Sequence, residues 1–267
     1  MRIIRETCVA GKTIDRTIKV YSGNHKSKRG HKVNITLENV QKNNDRLAAK
    51  NLMRILNANY KHGDLHIVLT YETEVKKSRA RKDREYFIRK LRGEMKKMDI
   101  ELKCVAVTEY KHTRIHHHLV INHFDSSALE QLWGKGFVKF SVLDDSGNYA
   151  KLAEYLIKET TKTMRDEDAV SKRRYTTTKN LIRPEVKREV VDIAELFDDP
   201  EPIKGYYIPQ DYCRRFEHPV TGLEHLEYIM VALDEPRSYK TWPRGKKVKA
   251  KEYYKPNYEE EQQSLQA

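Results

Sequence analysis

Three consecutive histidines, His116, His117 and His118, lie in the stretch Arg114-Ile115-His116-His117-His118-Leu119-Val120-Ile121-Asn122. The run ends in Leu-Val-Ile and predicts a buried β-strand. Side chains on a strand alternate between its faces. His116 and His118 therefore project from one face about 7 Å apart, and His117 from the other with Leu119 and Ile121. Two imidazoles side by side on a rigid strand are half of a metal site. Taken alone, the triplet also fits a chance run among the eleven histidines of a basic chain.

Glu109 precedes His116 by seven positions. Lys103–Glu109 predicts another strand, and Tyr110–Arg114 the connection into the histidine strand. In such a hairpin Glu109 sits opposite the start of the second strand. Glu109, His116 and His118 then make a set of two imidazoles and one carboxylate with open positions. Such a set suits Mn²⁺, Mg²⁺ or another divalent ion that keeps water or substrate bound. No cysteine lies close enough in sequence for a Cys-type zinc site. By itself, Glu109 could equally be a solvated turn residue.

A third candidate is a tyrosine. On a helical wheel over residues 149–162, Tyr149, Leu152, Ala153, Leu156, Ile157 and Thr160 share one broad, largely apolar side. Lys151, Tyr155, Lys158 and Lys162 fall within about 60° of each other on the other side. Tyr155 is thus expected in a stripe of three lysines, with Lys151 and Lys158 one turn away. Nearby ammonium groups lower a phenol's pKa and attract phosphate, which is what a tyrosine nucleophile needs. The plain alternative is an exposed tyrosine covering the lysine stems. Tyr149 is assigned to the core.

These residues need elements to hold them. Leu65–Tyr71 predicts a strand. A long basic helix follows over Arg79–Met98, with Tyr86, Phe87, Leu91 and Met95 as its seam. After the histidine hairpin come a short helix at 127–133 capped by Ser126 or Ser127, a strand over Gly136–Val142, a turn at Asp144–Asn148 and a helix over Tyr149–Thr163. The order β-α-β-β-α-β-α is that of a split βαβ unit with one helix added. The expected class is α+β: a ferredoxin-like antiparallel sheet with helices on one side. Before it, residues 44–59 predict a helix capped by Asn43 or Asn44. Its stripe is Ala48, Leu52, Ile55, Leu56 and Asn59, with Lys50, Arg54 and Lys61 off it.

The implied organisation is a basic N-terminal extension over 1–43, a catalytic domain over 44–185, a small C-terminal extension over 186–235 and a charged, disordered tail over 236–267. The front piece holds strand-like Thr17–Val20 and a basic loop, His25–Lys32. Glu185–Phe197 and Leu226–Leu233 each read as strand or helix.

The chain has 267 residues and a net charge of +13. Residues 1–64 carry fourteen Lys/Arg against five Asp/Glu, most of that excess. A basic field of this size points to a polyanion, most often nucleic acid. Lys26, Lys28, Arg29, Lys151, Lys162, Arg173 and Arg174 are candidates for its contacts. No basic amphipathic helix with a clean apolar face argues for a membrane surface, and no apolar run of 18 residues predicts a span. The N-terminus has no apolar signal segment. Cys8, Cys104 and Cys213 are odd in number and far apart, as in a reduced cytosolic protein. Gly11-Lys12-Thr13 matches the end of a phosphate-binding loop, but the glycine required five positions earlier is Glu6. A nucleotide-driven motor is therefore not expected, and any helicase would be a separate host protein.

Together these pieces resemble the HUH superfamily of rolling-circle replication initiators. Leu69-Thr70-Tyr71 is similar to the first motif of that family. His116-His117-His118 occupies the metal-binding motif, whose middle residue is usually bulky and hydrophobic. Tyr155-Leu156-Ile157-Lys158 is similar to the nucleophile motif Tyr-x-x-Lys, and Glu109 matches the acidic residue before the histidines. Arg174–Leu181 and Pro184 are similar to the segment after the tyrosine helix in the phage and mobile-element branch. Some phage members have a second tyrosine four residues after the first. That position is Glu159 here, so the chain resembles a single-tyrosine enzyme. The resemblance covers roughly residues 44–185.

It implies a nicking and joining endonuclease that starts replication of a phage, plasmid or integrative element. Mn²⁺ or Mg²⁺ on Glu109, His116 and His118 would polarise the scissile phosphate. Tyr155 would attack, leaving a 5′-phosphotyrosine and a 3′-hydroxyl for a host polymerase, with Lys158 orienting or deprotonating it. The substrate would be single-stranded DNA or an origin hairpin. Two other readings compete. A non-catalytic nucleic-acid binder on the same fold would show aromatics on its open sheet face, where histidines are expected here. A zinc metallohydrolase using water would leave Tyr155 without a role.

Overall fold

The computed structural model describes residues 2–21, 38–110, 114–161, 164, 169, 173–218 and 222–233. The basic-loop residues Lys26, Lys28 and Arg29, together with Lys162 and the tail from 236, lie outside them. The chain is a mixed α+β protein with two antiparallel sheets.

Its front is a hairpin, β1 (Arg2–Ala10) and β2 (Thr13–Tyr21), with Ala10 opposite Thr13. Gly11 turns it at a left-handed φ of 58°. A Cβ there would overlap the carbonyl oxygen of Asn57. Gly11-Lys12-Thr13 is thus a tight turn against a helix. That helix, α1 (Glu38–Asn59), starts earlier than its apolar stripe suggests. Residues 38–47 are mostly exposed or half-buried, so no stripe marks the first turns.

Next come β3 (Leu65–Leu69), α2 (Lys77–Lys97), β4 (Cys104–Glu109), β5 (His116–Ile121), α3 (Ser126–Trp133), β6 (Val138–Val142), α4 (Ala150–Thr161) and the short β7 (Thr176–Thr177). Their sheet has the order β6-β3-β5-β4-β7, every pair antiparallel. β3 and β4, joined through α2, flank the histidine strand. The cap of α3 is Asp125, whose Oδ1 accepts from the amides of Ser127 at 2.7 Å and Ala128 at 3.1 Å. The serines expected as caps are the first turn itself.

Helices cover both faces of this sheet, not one. Phe87, Leu91 and Met95 of α2 and Leu129 and Trp133 of α3 pack on Ile67, Leu69, Leu119 and Ile121. Leu52 and Leu56 of α1 and Ala153, Leu156 and Ile157 of α4 pack on Val105, Val107 and Val120 of the opposite face. Burial on both faces is why β4 and the end of β5 read as unbroken apolar runs.

The two expected extensions are one structure. β8 (Val186–Val191), α5 (Ala194–Phe197), β9 (Tyr206–Tyr207), β10 (Cys213–Glu217) and β11 (Glu224–Ala232) complete the fold. β1 and β2 lie inside a six-stranded sheet of order β10-β11-β2-β1-β8, with β9 on β11. Glu185–Phe197 is therefore strand then helix, and 226–232 is strand. One face of this sheet reaches α1 and α4 through Ile229 and Val231. The other buries Ile3, Ile14, Ile18, Leu226 and Met230 under Leu196. The layers run sheet, α1 with α4, sheet, α2 with α3.

Lys50 and Arg54, off the apolar stripe of α1, are buried too. Arg54 Nε donates to Asp15 of β2 at 2.8 Å, and Lys50 bridges Asp15 and Glu227, each at 3.1 Å. Arg46 also pairs with Glu227. Burial alone would raise the pKa of Glu227, but Lys50, Arg46 and Arg214 outweigh it and hold the carboxyl well below its usual range.

Candidate functional site

The site lies on the face of the five-stranded sheet that looks toward α4. Register places it there. Glu109 stands opposite His116 and Val107 opposite His118 across β4 and β5. Val68 stands opposite His118 across β3 and β5, and His66 opposite Val120. Directly paired residues share a face, so Glu109, His66, His116 and His118 all project to one side.

His118 is at the centre and only 3 % exposed. Its Nε2 is 3.3 Å from Oε2 of Glu109, and its Nδ1 is 3.4 Å from Nε2 of His66. The His66 and His118 rings are stacked, with centroids 5.6 Å apart and planes 13° from parallel. Tyr155 of α4 lies edge-on to both, its ring 5.5 Å from His118 and 6.4 Å from His66. It keeps 43 % of its surface exposed, so its hydroxyl is open to a substrate.

Burial lowers the pKa of His118 and of His66 to about 4, and lowers that of His116 as well. All three rings are neutral at pH 7 and have a lone pair to offer. Two neutral imidazoles and a carboxylate on one face fit a divalent ion in their donor chemistry. Among the described residues, no three His, Cys, Asp or Glu side chains already stand at caging distance.

The surroundings of Tyr155 differ from the expected lysine stripe. Burial, Glu109 and Glu159 all raise the pKa of its phenol. Lys151 and Lys158 instead line a cleft of about 600 Å³ between α1, α4 and the six-stranded sheet, with Arg46, Lys50 and Arg214. Lys151 reaches Asp211 at 3.4 Å. The physical reason is that α4 packs between two sheets. Its polar positions split into two crests, with Tyr155 and Glu159 toward the histidines and Lys151 and Lys158 toward the cleft. Arg174 pairs with Asp45 of α1, and Arg173 borders the same end of β4.

His117 faces away from the site. It is fully buried, with Nε2 3.0 Å from the Tyr71 hydroxyl and Nδ1 2.9 Å from that of Thr108. Burial, then the charge of Arg84, lowers its pKa to about 3. The Trp133 indole packs edge-on against it and donates to the Thr70 carbonyl at 2.7 Å. Thr70 and Tyr71 thus brace the strand that carries the site from its far side.

Two residues escaped the sequence reading. His66 alternates with the buried Leu65 and Ile67, which put it on the Val68 face, but spacing could not show that β3 pairs with β5. Glu159 lies four residues after Tyr155, a helical neighbour readable from the wheel.

A sequence model of the replication-associated protein ORF2 family matches residues 64–164. That stretch runs from β3 through α4 and holds Glu109, the three histidines and Tyr155. No curated protein matches the chain, and no solved structure does. The family match and the site agree with a part in replication initiation. No helix among the described residues is long and apolar enough to cross a membrane.

Proposed function

We propose that this protein is a divalent-metal-dependent endonuclease and strand transferase. It nicks single-stranded DNA through Tyr155 and initiates rolling-circle replication of a phage, plasmid or integrative element. The observation that carries this reading is the Tyr155 ring against His118, whose imidazole meets Glu109. A water-based hydrolase has no use for a half-exposed phenol at that point. We read the β6-β3-β5-β4 order, with α2 and α3 on one face, as the split βαβ core of such an enzyme.

Glu109, His116 and His118 would hold the ion. When bound, it supplies Lewis acidity to a non-bridging oxygen of the scissile phosphate. Tyr155 Oη attacks phosphorus, the bond to the 3′ oxygen breaks, and a 5′-phosphotyrosine forms. The phenol proton passes to a facing carboxylate, Glu159 or Glu109, and the departing 3′ oxygen takes up a proton. The phosphotyrosine bond is retained, so a 3′-hydroxyl can reverse the step without ATP. Lys158 and Lys151, on the cleft side of α4, are placed to meet phosphates farther along the strand. The free 3′-hydroxyl would prime a host polymerase, with a host helicase opening the duplex.

The test is incubation with a pool of single-stranded oligonucleotides and Mn²⁺, followed by peptide mapping of any covalent adduct. The expected result is a nucleotide on Tyr155, absent with EDTA. DNA bound without cleavage would instead support the non-catalytic binder, and cleavage without adduct the hydrolase.

A further inference from the structure

We infer that His66 is a positioning residue for His118, serving through its Nε2 as the hydrogen-bond partner that lets His118 turn its Nε2 lone pair toward a divalent ion. The inference rests on the proposed metal-dependent function and adds a residue to it.

A neutral imidazole has one N–H and one lone pair. Both ring nitrogens of His118 face a polar neighbour, Glu109 on Nε2 and His66 on Nδ1. A carboxylate only accepts. Without an ion, His118 therefore carries its proton on Nε2 and donates it to Glu109, while its Nδ1 accepts from the Nε2–H of His66. With an ion on Nε2, the proton of His118 must sit on Nδ1, and something there must accept it. Metal-bound histidines almost always donate their second N–H to such a partner.

His66 can serve in both states. Its Nε2 donates in one tautomer and accepts in the other. Each ring keeps one proton throughout and exchanges its position through solvent, so no charge is created. Val68 and Val107, directly opposite His118 on the two adjacent strands, have no hydrogen-bonding side chains. The stacked rings, 13° from parallel, hold the contact in place. β3 is itself fixed between β5 and β6. The edge of Tyr155 against both rings ties the same pair to the nucleophile.

The experiment measures Mn²⁺ affinity at pH 7.5 by electron paramagnetic resonance for the unaltered chain, His66→Phe and His66→Gln, with circular dichroism as the check on folding. Phe keeps the bulk and the stack but offers neither donor nor acceptor. Gln offers both. The expected loss is about 10- to 100-fold for His66→Phe, with most of it recovered in His66→Gln. Nitrogen-15 NMR should show the His118 proton on Nε2 without Mg²⁺ and on Nδ1 when Mg²⁺ is saturating. Unchanged affinity in folded His66→Phe overturns the inference alone. Equal loss in both variants also overturns it, making His66 a ligand. No Mn²⁺ binding by the unaltered chain overturns the metal reading and the inference with it.

Discussion

Glu109 and His116, seven positions apart in sequence, stand directly opposite each other across β4 and β5. Paired residues of an antiparallel ladder share a face with Cβ atoms about 5 Å apart. The hairpin therefore brings a carboxylate beside an imidazole before any ion or DNA arrives.

From this follows the effect of removing metal. EDTA should abolish cleavage of a single-stranded oligonucleotide, and Mn²⁺ or Mg²⁺ should restore it. The His116→Ala, His118→Ala double variant should stay inactive with either ion. Full cleavage by that variant, read on a denaturing gel, is incompatible with these residues as ligands.

His117 should matter to stability rather than chemistry. His117→Ala removes two buried hydrogen bonds and leaves the Tyr71 and Thr108 hydroxyls without their partner. The expected cost is about 2–4 kcal/mol in urea unfolding. Mn²⁺ affinity of the folded fraction should persist, because His117 points to the other face. A loss under about 1 kcal/mol would show that the buried network contributes little.

The link between α1 and the six-stranded sheet should weaken in acid. The folded-state pKa of Glu227 lies well below its ordinary value of 4.5. Its contribution is thus complete above pH 4.5 and is lost as pH falls below that, through the depressed folded value. Glu227→Gln should cost about 3–5 kcal/mol at pH 7, since it leaves Lys50, Arg46 and Arg214 facing no carboxylate at that position. Its stability should then fall less steeply between pH 4.5 and 2.5 than that of the parent. Parallel slopes in the two proteins would remove Glu227 as the cause.

The basic loop is best tested by charge removal. Deleting residues 1–40 would take two central strands, β1 and β2, out of the six-stranded sheet. Replacing Lys26, Lys28 and Arg29 with alanine avoids that. If they contact DNA, the slope of log K against log salt should become shallower by about 0.7 per lost phosphate contact. An unchanged slope means that this loop does not touch the backbone.

Local pattern was legible and long-range pairing was not. The histidine hairpin, the long basic helix and the tyrosine helix came from alternation and helical spacing, which short segments fix on their own. The union of residues 2–21 with residues 186–232 joins strands more than 160 positions apart, and no local signal records it. His66 was missed for the same reason, because its part depends on which strand lies beside β3. Lys158 was placed on the right helix but on the wrong crest. A wheel reports angles, and only the second sheet shows that two polar crests exist.

The central claim is that Tyr155 is the attacking group. The most direct measurement is covalent adduct formation with a labelled single-stranded oligonucleotide and Mn²⁺, for Tyr155→Phe beside Tyr149→Phe. Tyr149 donates its hydroxyl to the Asp144 carbonyl at 3.1 Å, so its loss should cost about 1 kcal/mol of stability and leave the adduct intact. Tyr155→Phe should fold normally, bind Mn²⁺ and DNA, and form no adduct at all. An adduct formed by Tyr155→Phe would contradict the account.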